Sequence, residues 1–347
     1  MATVNLVRKS ELAGFFTLPY VRAMLRGAGQ VMFQGNVWTG IFFLIGIFWG
    51  AYQEGQGVVA WGAVVGLFVS TLTGYLLNLP RQNGLQGLWG FNGILVGCAF
   101  TTFLGDTIFT WIALIICSAL STWVRTGFNN VMAPWKVNSF TFPFVFTTWM
   151  FLLAARVMKG MPPVFMSTPE LPGNFSTVID LRLGDLIIYW LKGVAQVFLI
   201  NSWVTGLLFL IGLFLSNKWA AIWAALGSAI ALIIILMFQG PGNDIALGLY
   251  GFSPVLTGIA LGATFYKVNY RSALWAILGI IVTVFIQAAM NVLLTPLGLP
   301  ALTAPFCITT WLFLLPLFKF DSKDEKKTDH SDWEKGKEEE KKEPIAS

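Results

Sequence analysis

The side chains in this sequence best suited to contacting a solute are polar but uncharged, and chief among them are Gln30 and Gln196. A valine follows each, Val31 and Val197, and an apolar stretch begins a few residues later. A single glutamine at the edge of an apolar segment means little, since an interfacial position accounts for it. Two in matched settings suggest a pair of lining groups that accept and donate hydrogen bonds without moving a proton. Groups for other chemistry are scarce. The sole histidine, His330, lies in a charged tail, and Cys98, Cys117 and Cys307 each stand alone in an apolar run. The cysteines read as small buried hydrophobes. With no His or acidic cluster to hold a metal, and no Ser/His or paired-carboxylate set, neither a cofactor nor catalysis is expected. Asp180 and Asp185 read as a solvated loop or helix start.

The composition says what must position those groups. Apolar residues make up 56% of the 347, charged residues 11%. Of the 22 basic and 17 acidic residues, 8 and 10 fall in 319–347, so 14 and 7 are left for the first 318. So few charges cannot cover the surface of a water-soluble domain, and lipid is the expected solvent for most of it. A pI near 9.1 could point to nucleic acid, but the basic residues lie in short loops between apolar spans, so no nucleic acid is expected.

Apolar stretches near or above the length that crosses a bilayer recur at roughly 37–53, 57–80, 87–105, 107–124 and 137–155. They return at roughly 202–217, 219–239, 247–266, 272–296 and 301–318. The fold expected is therefore all-α and integral to the membrane, with about ten transmembrane helices. With the N-terminus in the cytoplasm, inside loops receive Arg81, Arg125, Lys136, Lys218, Lys267 and Arg271, and short outside loops receive Glu54, Asp106 and Asp244. That sorting places both termini in the cytoplasm, for a multi-pass protein of the plasma or inner membrane. The Lys/Glu-rich tail from Asp321 has no apolar stripe and reads as a disordered extension.

Self-comparison finds three repeated blocks. Gln30-Val31 with Thr39-Gly40 is echoed by Gln196-Val197 with Thr205-Gly206, a shift of 166. Gly87-Leu88-Trp89-Gly90-Phe91-Asn92-Gly93 matches Gly248-Leu249-Tyr250-Gly251-Phe252-Ser253-Pro254, shifted by 161, and both continue to Gly97 and Gly258. Thr141-Phe142-Pro143-Phe144 matches Thr303-Ala304-Pro305-Phe306, shifted by 162. An odd number of spans per copy makes the second copy enter from the opposite side, so two inverted five-helix repeats are expected, with solute sites where they meet. The expected segments are 1–26, an N-terminal piece; 27–158 and 193–318, the repeats; 159–192, an extracytoplasmic loop; and 319–347, the tail. Gly87, Gly90, Gly93 and Gly97 fit either a close-packing face or an interrupted helix, and Pro254 in the slot of Gly93 favours interruption.

These blocks resemble the urea transporter family, in both copies, over residues from about 20 to 318. The Asn-containing glycine block carries the resemblance most specifically. It implies a channel-like fold in which each half adds one tilted pore half-helix to its five helices, with one pore per subunit and a homotrimer. It implies a flattened slot walled by Phe91 and Phe252 and continued by Leu95 and Leu256. Gln30 and Gln196 would head its polar sides, with Val31, Val197 and Phe33 beside them. Thr141 and Thr303 would face each other at the constriction. Leu199 stands where the first half has Phe33, an asymmetry in the lining. The implied solute, urea, is flat and neutral, so rings can stack on its face while oxygens accept its N–H groups. Ion coupling normally needs an intramembrane Asp, Glu or His, and none lies near a span's middle. The lack of pore histidines argues against an ammonium channel, and the absence of an Asn-Pro-Ala pair weakens an aquaporin reading. Passive conduction of urea is the reading, with water or other small neutral amides as the alternative.

Overall fold

Apolar runs of the lengths read above fold as helices throughout residues 17–320, which the computed structural model describes. The tail from Asp321, His330 included, and residues 1–16 lie outside the described residues. In order the helices are α1 (Leu18–Gln30), α2 (Val37–Gln53), α3 (Gly57–Leu76), α4 (Arg81–Leu85), α5 (Phe91–Phe103), α6 (Ile108–Met132) and α7 (Phe142–Ala155). Then come α8 (Leu183–Ala195), α9 (Trp203–Ser216), α10 (Lys218–Met237), α11 (Gly242–Ala246), α12 (Phe252–Ile259), α13 (Tyr270–Leu294) and α14 (Ala304–Leu314). Among the described residues there is no strand, only one bridge between Leu104 and Pro163.

Short polar residues set where several helices start. Asn36 accepts from the amides of Trp38 and Thr39, Thr107 from Thr110, and Asn217 from Trp219. Asn269 and Ser272 form a reciprocal box at the start of α13. Each supplies an acceptor to N–H groups that the helix itself cannot satisfy. Four described helices are long and apolar enough to cross a membrane, and a fifth if the pair Leu183–Phe198 and Trp203–Ser216, bent by 72°, is one span. Five more apolar helices run 10–17 residues. Two helices begin inside segments read as flanks, α1 at Leu18 and α8 at Leu183. Both are amphipathic, and mixed polar character hides such helices from a search for uncharged runs.

Conformation, as well as composition, recurs at the repeat offsets. The left-handed backbone of Phe33 (φ 63°) returns at Leu199 (59°), and that of Asn78 (50°) at Gln239 (52°). Lys136 (57°) returns at Gly298 (59°), and Phe140 (50°) at Leu302 (50°). Non-glycine residues adopt this region rarely, and at a penalty. Hydrogen bonds between the two sets of helices are reciprocal. The Thr39 hydroxyl donates to the Gly212 carbonyl, and the Thr205 hydroxyl to that of Gly46, both at 2.7 Å. The Trp149 indole donates to Pro300 and the Trp311 indole to Asn138, both at 2.8 Å.

The glycine block does two jobs. Gly93 and Gly97 of α5 pack backbone to backbone on Gly66 and Gly62 of α3, where any β-carbon would strike a facing carbonyl. Gly87, at φ 88°, turns the chain between α4 and α5. Pro254 does not interrupt a helix. It sits in the first turn of α12, where its missing N–H has no intrahelical acceptor to lose. The break lies upstream, in the turns separating α4 from α5 and α11 from α12.

Candidate functional site

α1 ends at Gln30, and the reversal through Phe33 leaves the glutamine side chain facing the turn that follows α4. Its Nε2 donates to the Gln86 carbonyl at 2.9 Å. The matched side chain does the same, Gln196 Nε2 donating to the Leu247 carbonyl at 2.8 Å. A carbonyl can only accept, so each amide turns its nitrogen to the backbone, which leaves its oxygen as an acceptor not used by that bond. Gln30, Val31, Phe33, Phe91 and Thr141, gathered from α1, α5 and the start of α7, border one cavity of about 20 Å³. That is room for a water molecule or so. Leu88, Arg125, Asn129, Asn138, Ser139 and Phe140 complete its wall.

At the base of this wall Thr141 and Thr303 touch. Their hydroxyl oxygens lie 2.7 Å apart, both side chains are buried, and Cys307 Sγ is 3.4 Å from the Thr141 hydroxyl. Each threonine is the residue just before a helix, α7 or α14, whose first turn carries a proline. The opening turns of two helices therefore converge here, bringing their positive dipole ends together. Asn92 fixes one of them, its Oδ1 accepting from the Phe144 amide at 3.1 Å while its buried Nδ2 has no partner among the described residues.

Aromatic rings crowd the first opening. Phe33 meets Phe140, Phe265 and Phe306 edge to face, with centroids 6.2, 5.7 and 6.0 Å apart. Phe265 and Phe306 come from the second half of the chain and pack behind Phe33, though neither borders the cavity itself. At the matched positions of Phe33 and Phe140 stand Leu199 and Leu302. The asymmetry read from Leu199 is thus wider than one residue. Phe252, Leu256 and Leu95 are buried, as are Val197 and Gln196, but none of these borders the cavity beside Gln30.

Two features differ from the sequence reading or were missed by it. The sequence puts Arg125 in an inside loop, since the uncharged run stops at Val124. It lies instead within α6, which continues to Met132, and it is only 7% exposed. Its guanidinium lies 5.4 Å from the centre of the Phe91 ring, which gives the charge a favourable surface inside the span. Phe140, Asn129, Asn138 and Ser139 were also missed. A signal existed, since Asn129 and Asn291 match at the same offset of 162 as the threonine block. Outside the spans, burial raises the Asp244 carboxyl above the usual carboxylate range. Burial raises that of Glu54 too, against the pull of Lys192.

Apolar helices enclosing a small opening lined by amides, hydroxyls and rings define a multi-pass membrane protein with a polar opening among its helices. The chain belongs to the urea transporter family, whose profile (UT: Urea transporter) matches residues 21–318. It is 32% identical over 302 residues to Urea transporter 1 of Ovis aries, covering 86% of this chain and 77% of that one. Against Urea transporter 1 of Mus musculus it is 32% identical over 304 residues, and against that of Rattus norvegicus 31% over 306, with the same coverage.

Proposed function

We propose that this protein conducts urea passively down its gradient, through a narrow slot between its two halves. The observation that carries this is the opening beside Gln30. It joins a glutamine amide held by its nitrogen, hydroxyls and aromatic faces, with no carboxylate or histidine in its wall. Such a wall exchanges a neutral amide's water contacts for protein ones and offers no group to couple transport to protons. Gln30, Val31, Phe33, Phe91, Leu95 and Thr141 line the half of the passage nearer this opening. Gln196, Val197, Leu199, Phe252, Leu256 and Thr303 line the other.

The architecture of this reading is ten membrane helices, α2, α3, α5, α6 and α7 with α9, α10, α12, α13 and α14, and two tilted pore half-helices, α1 and α8. The halves are inverted repeats about an axis in the membrane plane. Reciprocal bonds such as Thr39–Gly212 with Thr205–Gly46 support it, because a two-fold arrangement makes each contact occur twice. Both termini are cytoplasmic, in a plasma or inner membrane, and three copies form the assembly.

In proteoliposomes, urea flux should be unaffected when proton and sodium gradients are collapsed. Flux that falls with either gradient means a coupled carrier instead. Gln30→Leu and Gln196→Leu should each lower urea flux about tenfold, the effect of one lost hydrogen bond of ~1–1.5 kcal/mol. Stopped-flow measurements on the purified variants read this directly.

A further inference from the structure

We infer that Arg125 is the charge filter of this passage, and that it turns away cations, above all flat ones with urea's own outline. The inference rests on the proposed urea passage and adds the residue that decides between a neutral amide and its charged isostere. The discrimination is a real problem for such a wall. Phenylalanine faces attract cations, and a slot shaped for a flat solute cannot reject by shape an ion of the same outline. Free guanidinium is that ion. Something positive must oppose its entry.

Arg125 is the ionisable group so placed. It borders the cavity together with Gln30 and Thr141, and its guanidinium already lies over the Phe91 ring. It therefore fills the aromatic face that a free guanidinium ion would use, and repels the ion as well. The groups around it are Gln30, Asn129, Asn138, Ser139 and the Thr141 hydroxyl, all uncharged, and no carboxylate pairs with it among the described residues. Its charge is thus not cancelled locally.

The helix itself does not call for a cation there. The position matched to Arg125 at the offset of 162 is Gln287 of α13, equally buried, with Nε2 donating to Asn291 at 3.0 Å. A neutral amide fits the same place in the second half. An unpaired charge inside a span is unfavourable and is retained where it acts on what passes. One mouth therefore carries a fixed positive charge, and the other does not carry its counterpart.

The test uses proteoliposomes of the full chain, with urea and guanidinium uptake measured on the same vesicles. Wild type should pass urea and exclude guanidinium. Arg125→Gln should raise the guanidinium-to-urea permeability ratio by roughly 30- to 100-fold, the factor for one unit charge about 6–8 Å away at an effective dielectric near 20. Arg125→Lys should stay near wild type. Should Arg125→Gln fail to fold, Asn129→Asp gives the same answer, since a carboxylate one turn along neutralises Arg125 and can still accept from the Ser139 amide, now at 2.9 Å. A ratio that stays at the wild-type value in these variants, with urea still passing, overturns the filter. So does loss of urea flux in a folded Arg125→Gln, which would make Arg125 a urea ligand. Absence of urea flux in wild type defeats instead the urea passage on which the inference stands.

Discussion

Thr303→Phe should cut urea flux by more than ~100-fold in protein that still folds, because the Thr303 hydroxyl, worth ~1–1.5 kcal/mol as a hydrogen-bonding group, is lost and a ring fills the proposed constriction. Thr303 and Thr141 share a hydrogen bond of 2.7 Å in a fully buried setting, and no other described pair of polar side chains joins the two copies at matched positions. A ring here has to displace either its partner threonine or the passing solute. Overpacking is expected to destabilise the protein by ~1–3 kcal/mol, so folding is checked by size exclusion and thermal unfolding in detergent. Thr303→Val separates the two effects. It keeps the volume but removes the hydroxyl, and should lower flux by about tenfold only. Wild-type flux in folded Thr303→Phe would remove both threonines from the conducting path.

The largest effect on stability is expected from Gly97→Val. A β-carbon at Gly97 collides with the Gly62 carbonyl, and one at Gly93 with the Gly66 carbonyl, so α3 and α5 touch backbone to backbone along this seam. Neither side can yield as a flexible side chain would. The helices must separate, opening voids along the rest of their contact, and a loss of more than ~3 kcal/mol follows. Most of the protein should then aggregate or fail to reach the membrane. Gly127→Ala is the matched control. Its β-carbon meets nothing within 4 Å, and alanine favours a helix interior by up to ~1 kcal/mol, so thermal stability should hold or rise. Equal behaviour of the two variants in a detergent melting series would show that the seam does not hold the fold.

Much of the fold was legible because lipid imposes a simple rule. A chain with so few charges, in runs near bilayer length, has to fold as helices, and the boundaries of α2 and α9 fall close to the ends of the uncharged runs. The polar ends of α1 and α8 were not legible, since amphipathic helices contain the very charges used to end a span. Arg125 failed for the same reason. A charge in sequence signals water, whereas here it is accommodated by an aromatic face and a cavity that only the tertiary structure brings to it. The two glutamines were readable from sequence alone because the repeat doubled the signal. Phe140 and Phe265 had no such help, since the matched positions in the other half hold Leu302 and Leu104, whereas Phe306 is matched by Phe144 within the repeated threonine block.

The paired tryptophan bonds carry a consequence for how such a passage can operate. Each half reaches across to fasten the segment just ahead of the other half's final helix, and the two fastenings are reciprocal. Rocking one half against the other would have to undo both at once. The walls are therefore best understood as a fixed frame: solute moves by stepping through it, and throughput is governed by the steps themselves rather than by a cycle of the protein.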